Sequence, residues 1–256
     1  NAEAYWSFDD TELIFQSTRE GAAGNAAQCD QIFIMDVETG EVSQVTTEGR
    51  TTCAFFLPGS ERVIYASTHA ADTTCPPEPD RSQGYVWPLY PTYEIYTAER
   101  DGTGLVNITN SPGYDAEATV SRNGRVVFTS VRSGDLELWS MNSDGSDLVQ
   151  LTDTPGYDGG AFFNQDGTKI CWRASRFTDP EKEKEYFRLL EKGLVRPSEL
   201  EIFVADADGR NVTQLTWNGK ANFGPFFLPD SSAVIFSSNQ ADPRGRIFDL
   251  WMVDVL

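Results

Sequence analysis

Short runs in which apolar and polar residues alternate recur along the whole chain, always in the same order. The first set opens on Tyr5-Trp6-Ser7-Phe8, continues with Leu13-Ile14-Phe15-Gln16-Ser17 and Gln31-Ile32-Phe33-Ile34, and closes on Val42-Ser43-Gln44-Val45-Thr46. Later sets open on Phe55-Phe56, Thr119-Val120, Phe162-Phe163 and Phe226-Phe227. Their second runs are Val63-Ile64-Tyr65, Val126-Val127-Phe128, Ile170-Cys171-Trp172 and Val234-Ile235-Phe236. Third runs begin with an acid, an aliphatic and an aromatic (Glu94-Ile95-Tyr96, Glu137-Leu138-Trp139, Glu201-Ile202-Phe203, Asp249-Leu250-Trp251), and fourth runs end in Ile108-Thr109, Leu151-Thr152 and Leu215-Thr216. Val, Ile, Phe, Tyr and Thr fit a pleated surface, so each run is predicted to be a strand. Asp101-Gly102, Asp144-Gly145 and Asp208-Gly209 supply the positive φ of tight hairpins.

Self-similarity with a period of about 40–45 residues and four strands per unit is the signature of a β-propeller. A four-stranded sheet with two apolar faces cannot bury them alone, so the units must stack radially, face on face. The chain is predicted to be all-β, one domain over residues 1–256, with blade units at about 1–47, 48–110, 111–153, 154–217 and 218–256. The fifth unit stops after its third strand, and a ring with open edges is unfavourable. A sixth blade completed by residues outside this stretch is therefore expected in the whole protein.

Asp115 and Asp158 hold equivalent places 43 residues apart, whereas Thr51 to Asp115 and Asp158 to Asn222 each span 64. Units two and four thus carry insertions, both between second and third strands and hence on one face of the disc. The first, residues 69–93, is rich in Pro and aromatics and is predicted to be an extended cover. The second holds Pro180, apolar Tyr186, Phe187, Leu189 and Leu190, and Gly193, the pattern of one amphipathic helix. Loops on a rigid sheet scaffold are where propellers carry function. Tyr85, Trp87, Tyr90, Tyr93 and Tyr186 are the candidate contact residues of these insertions.

Acidic residues number 39 against 20 basic, a net charge of −19. That balance excludes nucleic acid and anionic membrane surfaces as partners, and suits a cationic partner or calcium. No apolar run is long enough to insert in a membrane. Of four cysteines, Cys171 lies inside a strand and is read as a buried thiol. Cys29, Cys53 and Cys75 fall on the decorated face, where Cys29–Cys53 or Cys53–Cys75 is the expected disulfide, implying an oxidising compartment.

No nucleophile elbow, metalloprotease helix, phosphate loop or Cys-x-x-Cys pair is present, so no catalytic residue is predicted. The single histidine, His69, takes the repeat position held by Arg19, Arg132 and Arg176 and is read as structural. What stands out is a ring of polar residues where first strands begin: Asn1, Thr51, Asp115, Asp158 and Asn222, followed two residues later by Glu3, Cys53 and Glu117 in line with Gly160 and Gly224. First strands line the channel of a propeller, so these groups are candidates for a site at its mouth. It would take a basic peptide segment, or Ca²⁺ held by Asp115 and Asp158. No other cofactor is expected. Asn107-Ile108-Thr109 and Asn211-Val212-Thr213 match the glycosylation sequon.

The corners Ser7-Phe8-Asp9-Asp10, Ser121-Arg122-Asn123-Gly124 and Asn164-Gln165-Asp166-Gly167, the Ser-x-Arg ends of second strands and the Asp-Gly then Leu-Thr closings together resemble the TolB-type (WD40-like) propeller repeat. So do the runs Gly113-Tyr114-Asp115-Ala116-Glu117 and Gly156-Tyr157-Asp158-Gly159-Gly160; the repeat's Ser-Pro-Asp-Gly opening survives in part at Leu228-Pro229-Asp230-Ser231. The resemblance covers the whole chain. It implies six blades, a periplasmic or extracellular location in the bacterial envelope and a protein- or peptide-binding role. It also implies that the propeller stands alone or is fused, as a subunit or gating module, to a peptidase or other hydrolase domain outside these residues.

Overall fold

The computed structural model describes residues 1–19, 29–80, 82 and 84–255. Five sheets follow one another along the chain. Blade one is Ala2–Trp6, Glu12–Ser17, Gln31–Asp36 and Val42–Gln44; blade two is Thr51–Phe56, Arg62–Ser67, Glu94–Glu99 and Val106–Asn107. Blade three is Asp115–Val120, Arg125–Ser130, Glu137–Asn142 and Val149–Gln150, and blade four is Asp158–Phe163, Lys169–Ala174, Glu201–Asp206 and Thr213–Gln214. Blade five has three strands, Asn222–Phe227, Ala233–Ser238 and Asp249–Asp254. Pairing within each blade is antiparallel and in sequence order, as the repeat predicts.

Blades are sealed to one another by the apolar faces the alternation marks. Ile14, Ile34 and Val45 meet Ala54, Phe56 and Val63, and Ile64, Ile95 and Ile108 meet Val120, Val126 and Phe128. Val127, Leu138 and Leu151 meet Phe163, Ile170 and Trp172, and Ile202, Val204 and Leu215 meet Phe227, Val234 and Phe236. Trp172 and Phe128 are 0% exposed, and truncating side chains so enclosed costs about 3–5 kcal/mol each. No comparable packing joins the described strands of blade five to blade one. Trp6, Phe226, Leu250 and Met252 accordingly stand exposed.

The Asp-Gly turns do more than reverse the chain. Gly145 has φ +84°, and a Cβ there would lie 2.6 Å from the Ile108 carbonyl oxygen of the preceding blade; Gly209 stands in the same relation to Leu151, also at 2.6 Å. Glycine is therefore required both for the turn and for the approach of successive blades.

Every first strand breaks register once near its start, and a residue in the break is left-handed: Glu3 at φ 50°, Cys53 at 50°, Glu117 at 58°, Gly160 at 60° and Gly224 at 56°. Such bulges bend a strand and strengthen its local twist. Beyond them the rings of Tyr5, Phe55, Phe162 and Phe226 form a contiguous row, with centroids 5.3 Å (Tyr5–Phe55) and 5.5 Å (Tyr5–Phe162, Phe162–Phe226) apart.

The two insertions meet. Trp87–Pro88 of the first pairs antiparallel with Leu194–Val195 of the second, making a two-stranded ribbon between segments from blades two and four. The helix forms over Pro180–Leu190, with Asp179 as its N-cap accepting from the Glu181 amide at 2.9 Å.

Candidate functional site

The heads of the first strands are polar and mostly buried, and each is engaged within the scaffold. Arg132 Nη2 donates to Asp115 Oδ2 at 2.8 Å, and Arg176 donates to both oxygens of Asp158 at 2.7 and 2.9 Å while Trp172 Nε1 donates at 2.6 Å. Arg19 does the same for Asn1 at 2.9 Å. Thr51 Oγ1 donates to the Asp30 carbonyl at 3.0 Å, and Asn222 Nδ2 to the Leu200 carbonyl at 2.6 Å. In blade two His69 replaces the arginine, its Nδ1 2.8 Å from Ser67 Oγ and its ring on Tyr96, and burial holds it below the ordinary histidine range. Burial also raises Asp115 and pushes Asp158 up to about 6 in spite of the arginines. Among the described residues no group of three or more His, Cys, Asp or Glu side chains is placed to hold an ion.

The second layer of the predicted ring does come together, in part. Glu117 Oε2 accepts from the Thr129 and Tyr157 hydroxyls, both at 2.8 Å, and from the Gly160 amide at 3.2 Å; its Oε1 accepts from Arg173 Nη2 at 2.5 Å. The Arg173 guanidinium lies against the rings of Trp87, Tyr157 and Phe223 at 5.3, 5.6 and 5.9 Å. Gly159 and Gly160 make room for this group: a Cβ on Gly160 would fall 2.3 Å from Arg173 Nη1, and one on Gly159 2.6 Å from Glu117 Oε2. Glu3 is exposed and accepts from the Tyr5 hydroxyl. Cys53 is free, and burial raises its thiol well above the usual range.

The disulfide is Cys29–Cys75, with Cα atoms 5.8 Å apart. Neither expected pairing forms, because Cys53 occupies the left-handed bulge of its strand, where its amide bonds Gln16 Oε1 at 3.2 Å.

Among the insertion residues, Tyr93 and Tyr186 are buried anchors: Tyr93 packs on Tyr114, and the Tyr186 hydroxyl donates to Asp135 Oδ1 at 2.5 Å. Tyr85 is exposed and Trp87 half-buried, its Nε1 donating to the Tyr85 hydroxyl at 3.1 Å. Tyr90 is half-buried and its hydroxyl donates to the Pro77 carbonyl at 2.8 Å. Tyr90 lines a cleft of about 920 Å³ between the two insertions. One wall is Pro77, Glu78, Pro79 and Asp80, the other Phe187 and Leu190 of the helix with Glu191 at its end, and Leu89, Tyr114 and Val131 line the cleft between them. The helix buries Tyr186 and Leu189 and leaves Phe187 and Leu190 half-exposed to the cleft. Phe187 and Leu190 are legible as apolar positions of a helix, but nothing in the sequence says that two of the four face a groove.

No protein-family model matches the chain, and no curated protein matches it. Solved structures do. A putative TolB from Agrobacterium tumefaciens is similar with a TM-score of 0.63 at 16% identity, over 100% of this chain and 75% of that one. An oligogalacturonate lyase in complex with manganese is similar with a TM-score of 0.59 at 16% identity, over 100% and 67%. A puromycin-hydrolyzing peptidase of Mycobacterium tuberculosis is similar with a TM-score of 0.60 at 12% identity, over 99% of this chain and 36% of that one. The fold is that of the TolB-type β-propellers, and proteins of different activities share it. Among the described residues no helix is long and apolar enough to cross a membrane.

Proposed function

We propose that this propeller is a protein- or peptide-binding scaffold of the bacterial envelope or extracellular space, and that its ligand is a basic segment with apolar anchors lying in the cleft between the insertions. The observation that carries this reading is the convergence of two insertions from separate blades into one ribbon with an apolar groove beside it. Half-exposed Phe187, Leu190, Tyr90 and Tyr114 offer the lining that anchor side chains require. Glu78, Asp80 and Glu191 outnumber Lys192 around the groove of a chain whose net charge is −19, which favours a cationic partner. The Cys29–Cys75 disulfide supports an oxidising compartment.

An array of 15-residue peptides graded in apolar content and net charge tests the reading. Binding should concentrate on basic, apolar-anchored peptides and weaken as salt rises. Leu190→Asp should abolish it while leaving the circular dichroism of the sheets unchanged. Preference for acidic peptides, or binding indifferent to Leu190→Asp, would overturn it. The likeness to the peptidase favours one second reading, in which the same face gates substrate for a hydrolase domain; a catalytic module encoded in the same polypeptide, with the cleft facing it, would select that reading.

A further inference from the structure

The outer wall of the cleft is held in an unusual way. Between Ser67 and Trp87 the described residues form no strand or α-helix, and Pro76, Pro77 and Pro79 have no amide hydrogen with which to join a ladder. The wall begins two residues after Cys75. Among the contacts that hold it besides the disulfide, the Gly49 amide donates to the Thr73 carbonyl at 2.7 Å, Arg50 pairs with Glu78 at 2.8 Å, and the Tyr90 hydroxyl donates to the Pro77 carbonyl at 2.8 Å. Glu78 is 60% exposed, and ion pairs so placed hold little. Cys29 is buried at the foot of blade one's third strand, 2% exposed, whereas Cys75 is half-buried between exposed Thr73–Thr74 and the prolines. The disulfide thus ties an otherwise irregular wall to the rigid sheet.

We propose that the cleft is redox-conditional: it exists in the oxidised chain, and reduction of Cys29–Cys75 by a dithiol reductant releases the wall and the ligand with it. This rests on the cleft being the ligand site. In chemical terms, a thiolate of the reductant attacks Cys75 Sγ, the S–S bond breaks, and its electron pair leaves on Cys29 Sγ, which takes a proton. The reductant's second thiolate then attacks its own sulfur in the mixed disulfide, freeing Cys75 as a thiol and leaving the reductant oxidised by two electrons. Cys53, at the channel mouth on its own bulge, takes no part.

The test uses the full chain before and after dithiothreitol, with alkylation and mass spectrometry to establish complete reduction, and with the tightest peptide of the array as probe. Amide exchange in residues 69–80 should quicken on reduction while the blade strands stay protected, and the peptide should bind at least about tenfold more weakly, a change of about 1.4 kcal/mol. Cys75→Ser should reproduce both effects and Cys53→Ser neither. Unchanged exchange over residues 69–80 after full reduction overturns the inference. So does a loosened wall with unaltered peptide affinity in a chain where Leu190→Asp still abolishes binding; if Leu190→Asp has no effect, it is the placement of the ligand that falls.

Discussion

The tight hairpins and the buried heads of the strands use carboxylates in opposite ways. On the face of the tight hairpins, Asp9, Asp101, Asp144, Asp166 and Asp230 each accept from the amide and hydroxyl of the Thr or Ser two residues on, and these bonds hold them below the usual carboxylate range. Around the strand heads of the insertion-bearing face Asp115, Asp135, Glu137 and Asp158 are pushed up, with burial the leading cause in each, whereas exposed Asp72 and Asp80 of the first insertion make the hairpin kind of turn and are lowered. One face repeats a self-contained, solvated turn; the other buries charge to hold strand heads, a helix and a ribbon in place. Repetition marks the scaffold, and departure from it marks where a partner can be distinguished.

Four substitutions sharpen that contrast. Arg173→Met leaves Glu117 with its charge enclosed and unpaired, both side chains being almost wholly buried (11% and 13% exposed). Urea unfolding should show a loss of about 3–5 kcal/mol, and the double variant Arg173→Met/Glu117→Gln should recover part of it. A single loss below about 1 kcal/mol would mean the pair is solvated.

Glu137 comes next. Its Oε2 has no partner and burial raises the group to about 8. The folded chain therefore binds this proton more tightly than the unfolded one, so stability should fall as pH rises from the ordinary glutamate value of about 4.3 toward 8, with a slope approaching about 1.4 kcal/mol per pH unit from this group. Glu137→Gln should flatten the dependence; an equal slope in that variant would assign it elsewhere.

Tyr186→Phe removes the donor to Asp135 that latches the helix and should cost about 1–3 kcal/mol, read as faster amide exchange over residues 180–190. Smallest of all, Asp144→Ala on the hairpin face should leave peptide binding unchanged and shift the melting temperature little, since the group is fully solvated. A marked loss of binding there would erase the distinction between the faces.

Much of this was legible because it is local. Strand periodicity, Asp-Gly turns and the helix each depend on neighbours in sequence, and the repeat positions of Asp115, Asp158, Arg132 and Arg176 can be counted off. The Asp115–Arg132 clamp is implicit in the repeat, since Asp115 registers with Ser130 and Arg132 follows two residues later. Other features rest on distant segments. The Trp87–Pro88 ribbon with Leu194–Val195 is two residues long and leaves no periodicity. Cys75 reaches Cys29 across 46 residues, past a nearer Cys53 whose left-handed backbone turns it to the channel.

The most direct test of the account compares the affinity of the tightest array peptide for the wild-type chain, for Leu190→Asp in the cleft and for Asp144→Lys on the hairpin face. Losing one buried apolar anchor contact should weaken binding by at least about thirtyfold in the first variant, and the second should stay within about twofold. Equal affinities in all three, or a loss confined to Asp144→Lys, would contradict the assignment of the ligand to the insertion-bearing face.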